Sequence, residues 1–158
     1  MYKAINWSDL KMHLNIFVSQ KCFVYCKGCY SFSRVEKNGQ SLDTDEIVKF
    51  LKYAYKKGIK KVTFCGGDPL TRKDIMVLLK KVKKIGYSIT LDTVGTALIK
   101  NIEKNKQIII KKIDASQIAN LVDVIGIPID GSTDKIFKLF RNTNSNLLKE
   151  QIEICNLL

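Results

Sequence analysis

Residues 61–69 read KVTFCGGDP and pass from a strand-like to a turn-like sequence within one short stretch. The first part is rich in β-branched and aromatic residues, which predicts a β-strand over 61–65. The second part combines two glycines, an aspartate and a proline. Glycine permits backbone conformations that other residues avoid and proline fixes a turn, so a tight turn should end the strand. A helical pattern then begins at Thr71 and ends at Gly86, which completes a strand–turn–helix unit.

The same alternation continues on both sides of this unit. Apolar, β-prone runs predict strands over 13–19, 87–91 and 121–129. Between the first two strands, Asp43 and Glu46 have the spacing of a capping box and begin an amphipathic helix. The sequence is therefore typical of a chain in which strands and helices take turns.

The second half of the chain is less regular. Residues 97–120 are interpreted as a broken helix around the β-prone run 108–110. Ser132 or Thr133 is expected to cap helical material that reaches the C-terminus and is broken near 142–146.

Alternating strands and helices predict an α/β fold with a mainly parallel sheet. Right-handed crossovers place the carboxyl ends of all parallel strands at one edge, where the active sites of such sheets lie. The unusual segments of this chain all follow predicted strands: a cysteine-containing loop over 20–39, the turn over 66–69, and residues 93–95 and 130–131. We therefore expect the functional site at that edge.

Cys22, Cys26 and Cys29 are separated by three and then two residues, close enough in sequence to hold one metal centre. Three thiolates leave one iron of a [4Fe–4S] cluster without a protein ligand, so that iron can bind another molecule. The alternative is a zinc site with His13 or Cys65 as the fourth ligand. A third reading takes the cysteines as unliganded core residues.

A Cys-x3-Cys-x2-Cys motif after the first strand resembles the signature of the radical S-adenosylmethionine (SAM) superfamily. The resemblance implies a [4Fe–4S] cluster that binds SAM and donates an electron, producing methionine and a 5′-deoxyadenosyl radical that abstracts hydrogen from a substrate. It also implies a partial (β/α) barrel. A complete one has six strands and four are predicted, so residues 1–158 are expected to form a single radical SAM domain or the N-terminal fragment of a longer enzyme.

Gly66, Gly67, Asp68 and Pro69 resemble the superfamily's glycine-glycine-acid-proline turn. The resemblance implies that this turn holds the amino group of SAM, which carbonyl and carboxylate oxygens suit. Disrupting the two glycines is then expected to weaken SAM binding more than cluster assembly. The alternative is a turn with a structural role only.

Three further residues are candidates for SAM contacts by the same resemblance. Thr93 resembles the position that meets the SAM carboxylate or ribose, although it also suits a helix N-cap. Asp130 follows the fourth predicted strand, where many relatives also carry a serine; Pro128 stands in that place here. The aromatic residue expected before the third cysteine is replaced by Gly28, so Tyr30 is the candidate to stack near adenine, with a core role as its alternative.

The subclass has two readings. Residues 26–30 (CKGCY), 38–40 (NGQ) and 66–70 (GGDPL) look most like the small activating enzymes of anaerobic ribonucleotide reductase, which form a glycyl radical on a protein partner. Residues 123–131 and 140–142 instead resemble enzymes that modify ribosomal peptides or small substrates. Either reading implies an electron donor such as flavodoxin or ferredoxin, and no residue is assigned to hydrogen abstraction.

The composition favours a cytoplasmic protein. No apolar run is long enough to span a membrane, and five cysteines in such a chain are typical of reduced thiols or metal ligands. The net charge of +12 allows a zinc-stabilised module that binds nucleic acid, but the lysines are scattered in pairs and only three arginines are present, which disfavours that class. A degenerate domain that binds cluster and SAM without cleavage is a third possibility. Cys65 and Cys155 are expected to be buried core residues, and His13 receives no role.

Overall fold

The structure, a computed structural model, describes residues 12–29, 42–104, 106–141 and 146–158. Within them, strands and helices alternate along most of the chain. In order, the elements are β1 (His13–Ser19), α1 (Thr44–Lys56), β2 (Lys61–Gly66), a 3₁₀ turn (Pro69–Thr71), α2 (Ile75–Ile85), β3 (Ser88–Asp92), α3 (Thr96–Ile99), β4 (Ile102–Lys104), β5 (Gln107–Ile110), α4 (Ala115–Ala119), β6 (Val124–Gly126), α5 (Asp134–Arg141) and α6 (Leu147–Leu157).

The main sheet has four strands in the order β1-β2-β3-β6, and every neighbouring pair is parallel. The register aligns the strand ends, since Ser19 pairs with Gly66 and Asp92 pairs with Gly126. The carboxyl ends of all four strands therefore meet at one edge. The predicted α/β fold with a mainly parallel sheet is confirmed.

The centre of the sheet is buried because helices cover it. Five consecutive residues of β2 are buried, as expected of a central parallel strand that packs on both faces. The core is built from the apolar faces of the two inner strands and of α1 and α2, and its fully buried members include Val62, Phe64, Ile89, Leu91, Leu51, Leu78 and Leu79.

The predicted helix starts have clear physical causes. Asp43 and Glu46 form the expected capping box: the Asp43 carboxylate accepts the Glu46 amide at 2.7 Å, and the Glu46 carboxylate accepts the Asp43 amide at 3.1 Å. Thr133 stabilises the first turn of α5. Its hydroxyl accepts the Ile136 amide at 3.4 Å, and its carbonyl accepts the Phe137 amide at 2.9 Å. The predicted C-terminal break lies between α5 and α6, and residues 142–145 are outside the described ranges.

Residues 97–120 differ from the predicted broken helix. They contain the short helices α3 and α4 with an antiparallel hairpin, β4 and β5, between them. The β-prone run 108–110 supplies the second hairpin strand, and Lys106 takes a positive φ of 62° in the turn. The β-branched side chains of this run favour an extended backbone, which explains why a hairpin divides the two helices.

Three smaller expectations need correction. The strand predicted over 121–129 is only three residues long, since its pairing with β3 ends at Gly126. The helix expected from Thr71 begins at Ile75, because Asp68 caps a 3₁₀ turn first. Cys155 is exposed, because α6 buries a different face, whereas Cys65 is buried as predicted.

Candidate functional site

A cavity of about 440 Å³ lies at the carboxyl edge of the sheet. Its walls come from the ends of β2, β3 and β6, from the segment that follows β1, and from the end of α5. The strand-end residues Gly66, Asp92 and Gly126 all line it. The site is therefore at the edge that the alternation of strands and helices predicted, and its size suits one small ligand.

Cys22, Cys26 and Cys29 all line this cavity. Cys26 is buried and the other two are half-buried. No three His, Cys, Asp or Glu side chains among the described residues are gathered closely enough to hold one metal ion. The fit to a cluster rests on the donor set: three thiols line one cavity, and three thiolates leave one iron of a [4Fe–4S] cluster free to bind another molecule.

A thiolate without a compensating positive charge is unfavourable in this cavity. Burial raises the pKa of Cys22 to about 11. Burial also raises the pKa of Cys26, although the neighbouring Arg141 guanidinium opposes that shift. Thiolates here therefore need compensating positive charge, which an iron centre would supply.

Gly66 and Gly67 are required by close backbone packing. A Cβ atom on Gly66 would lie 2.2 Å from the Ser19 carbonyl oxygen, and the residue has a positive φ of 142°. A Cβ atom on Gly67 would lie 2.2 Å from the Lys21 carbonyl oxygen and 3.1 Å from the Cys22 nitrogen. The turn thus touches the main chain that carries the first cysteine, which gives the glycines a structural role besides their place in the cavity wall.

Asp68 faces the protein interior. Its carboxylate accepts the Leu70 amide at 2.9 Å, the Val94 amide at 2.8 Å and the Thr93 hydroxyl at 2.8–2.9 Å. The residue is 1% exposed, and neither Asp68 nor Pro69 lines the cavity. Internal donors already occupy this carboxylate, and it supports the cavity wall from behind; the carbonyl oxygens of the turn are the other acceptors expected to meet the SAM amino group.

Thr93 and Asp130 both line the cavity, as expected of ligand contacts. The Thr93 hydroxyl also accepts the Gly95 amide at 3.0 Å, so it stabilises the turn that precedes α3. The Asp130 carboxylate forms an ion pair with Arg141. Tyr30, the candidate for adenine stacking, lies outside the described residues.

Sequence reasoning missed two kinds of cavity residue. Asp92 ends β3, and burial raises its pKa, with His13 opposing the shift. The rule that strand ends build the site was enough to find it. Phe140 and Arg141 come from the end of α5; the sequence singled out residues 140–142 only by their resemblance to other enzymes and gave them no place in the site.

Phe140 accounts for the glycine at position 28. A Cβ atom on Gly28 would lie 2.6 Å from the Phe140 ring. The space beside Cys29 that an aromatic residue at 28 would need is therefore occupied by a ring that comes from another part of the chain.

Comparison with known proteins agrees with this geometry. The family described as the Radical SAM superfamily matches residues 16–158. The chain belongs to the radical SAM superfamily. Its cofactors are accordingly a [4Fe–4S] cluster and SAM, and the soft-donor cavity described above fits them.

Relatives within the superfamily include probable GTP 3′,8-cyclases. A probable GTP 3′,8-cyclase from Methanococcus maripaludis is 31% identical over 100 residues, covering 63% of this chain and 34% of the relative. Another from Methanococcus aeolicus is 27% identical over 144 residues, covering 89% of this chain and 44% of the relative. This radical SAM chain therefore spans less than half the length of either cyclase.

A solved structure shares the fold. SuiB from Streptococcus suis, bound to its precursor peptide SuiA, superposes with a TM-score of 0.61 over 90% of this chain and 30% of SuiB. The sequences are 20% identical, so the likeness concerns the fold.

In the described part of the radical SAM chain, none of the helices has the length and apolar character needed to cross a membrane.

The buried Asp68 carboxylate should make the stability of the protein depend on pH. Burial raises its pKa from 3.8 to about 6, so the folded state holds a proton that the unfolded state has lost between these values. The free energy of unfolding should fall as pH rises through that range, by about 3 kcal/mol in total. Urea unfolding of Asp68→Asn should lack this component. Asp45→Asn, at an exposed carboxylate, should follow the wild-type profile, and parallel profiles for wild type and Asp68→Asn would contradict the expectation.

Gly67→Ala should impair cluster assembly as well as SAM binding, because the added methyl group must displace the main chain at Lys21 and Cys22. Overpacking of this kind costs about 1–3 kcal/mol. Iron content after anaerobic reconstitution and the thermal unfolding temperature should both fall. Normal iron content with lost SAM binding would instead support the turn's role as a SAM contact alone.

Proposed function

We propose that this cavity reductively cleaves SAM, with Cys22, Cys26 and Cys29 as the ligands of the [4Fe–4S] cluster. The observation that supports this most is the position of the three thiols: they line the same cavity as Gly66 and Gly67. When bound, the cluster and SAM would supply the electron and the 5′-deoxyadenosyl radical of the superfamily's chemistry.

The chain's own residues would bind and orient the cofactors. The main chain at Gly66 and Gly67 offers a wall without side chains, which lets a ligand approach closely. Thr93 and Asp130 would contact SAM from the ends of the neighbouring strands, and Tyr30 remains the candidate beside adenine. Asp68 would act indirectly, since it holds Thr93 in position.

For the substrate, we propose a protein or peptide. Exposed aromatic side chains at the cavity wall, Tyr25 at 62% and Phe140 at 37% exposure, would suit apolar side chains of a polypeptide. The activating-enzyme reading, in which a reductase glycine is the hydrogen donor, belongs to this class, although the relatives described above do not support it. Flavodoxin or ferredoxin would be the electron donor, and the cytoplasm the location.

A second candidate is a nucleotide substrate. The named relatives are probable GTP cyclases, and a net charge of +12 would attract a triphosphate. A polypeptide substrate and a nucleotide substrate would each raise the rate of SAM cleavage. The two classes therefore differ in which added compound stimulates that reaction.

Replacing any one of the three loop cysteines with alanine should abolish formation of 5′-deoxyadenosine from SAM. The reason is that each supplies one of the three cluster ligands; Cys65 also lines the cavity, but it lies in β2 with its thiol donating to the Ile16 carbonyl at 3.7 Å. The assay uses anaerobically reconstituted protein with dithionite. Cys155→Ala, at an exposed cysteine outside the cavity, is the matched control and should retain activity.

Retained activity in any of the three variants would show that the ligand assignment is wrong. Wild-type protein that binds cluster and SAM without cleaving SAM would be a degenerate domain. A colourless protein that carries only stoichiometric zinc would rule out the proposal.

The substrate class can be tested by adding one candidate at a time. We expect the rate of 5′-deoxyadenosine formation to rise with the large subunit of an anaerobic ribonucleotide reductase or with a precursor peptide, because the cavity wall presents apolar side chains. GTP at the same concentration is the comparison. Stimulation by GTP alone would favour the nucleotide class and overturn the polypeptide proposal.

A further inference from the structure

The Arg141 side chain connects the cysteine segment to the end of the sheet. Its Nη1 donates a hydrogen bond to the sulfur of Cys26 at 2.9 Å. Its Nε and Nη2 contact the Asp130 carboxylate, and Nη2 makes a longer contact of 3.5 Å to the Pro128 carbonyl. The side chain is buried, and a charged hydrogen bond is stronger where water is excluded.

The backbone around Arg141 is held against the same segment. The Lys27 amide donates to the Phe140 carbonyl at 2.9 Å, and the Phe140 ring packs on Gly28. Three consecutive residues of the cysteine segment, 26 to 28, therefore contact the last two residues of α5. The guanidinium is fixed beside the sulfur by its own chain and by Asp130.

We propose that Arg141 is a positioning residue whose charged hydrogen bond to Cys26 raises the reduction potential of the cluster. The inference rests on the proposed function, since it takes Cys26 as a cluster ligand. Reduction adds a negative charge to the cluster, and a positive donor on a ligand sulfur stabilises the reduced state more than the oxidised one. Asp130 reduces this effect by its charge, but it binds another edge of the guanidinium and does not touch the sulfur directly in the contacts described.

The experiment measures the midpoint potential of the reconstituted 158-residue chain by a redox titration monitored with electron paramagnetic resonance. Arg141→Met should shift the potential to a more negative value, with about a tenfold fall in the ratio of reduced to oxidised cluster at one fixed potential. Arg141→Lys keeps the charge but replaces the separate donor nitrogens of the guanidinium with a single one, so its shift should be smaller. Lys138→Met is the matched control, because it removes one exposed charge from the same helix.

The outcomes separate this inference from the proposed function. An unchanged or raised potential in an iron-loaded Arg141 variant overturns the inference, as does an equal shift in Lys138→Met, which would indicate bulk charge. If Arg141→Met takes up no cluster, the potential of Arg141→Lys decides the question. If neither variant takes up a cluster, Arg141 is needed to build the site, and its proposed role in setting the reduction potential is overturned. Wild-type protein that takes up no cluster overturns the proposed function, and the inference with it.

Discussion

Two main-chain hydrogen bonds beyond the end of the sheet hold the site together. The Gly67 amide donates to the Ser19 carbonyl at 2.8 Å, and the Asp68 amide donates to the Lys21 carbonyl at 2.7 Å. They extend the β1–β2 ladder past its last paired residues, so the turn and the start of the cysteine segment form one rigid unit. Any side chain on the glycines would separate these strands of backbone. The position of Cys22 is thus a consequence of sheet geometry.

The Asp68 carboxylate joins the next strand to this unit. It binds the turn through the Leu70 amide and the end of β3 through Thr93 and the Val94 amide. Burying a carboxylate is unfavourable unless donors surround it, and here each donor belongs to a segment that must stay in place. The acid therefore makes two loops of the cavity wall depend on each other. Asp68 thus has the residue type expected of a ligand contact, but it supports the cavity wall without lining the cavity.

The parts that were predictable from sequence depend on local patterns. Strand alternation, the capping box at Asp43 and the location of the cavity follow from periodicity and from the rule that parallel strands end at one edge. The orientation of Asp68 was not predictable, because the type of a residue does not say which way it points. The contact of Arg141 with Cys26 was hidden for another reason: it joins residues over 100 positions apart, and no local pattern encodes such a pairing.

The contact between Gly28 and Phe140 has a consequence for the cavity wall. The ring fills a volume that a side chain at 28 would otherwise take, so the two positions share one space. A side chain at 28 therefore requires the Phe140 ring to turn away or to be replaced by a smaller group, and either change opens the cavity wall at the end of α5. Substitution at position 28 thus acts on the cavity through a residue more than 100 positions away in the chain.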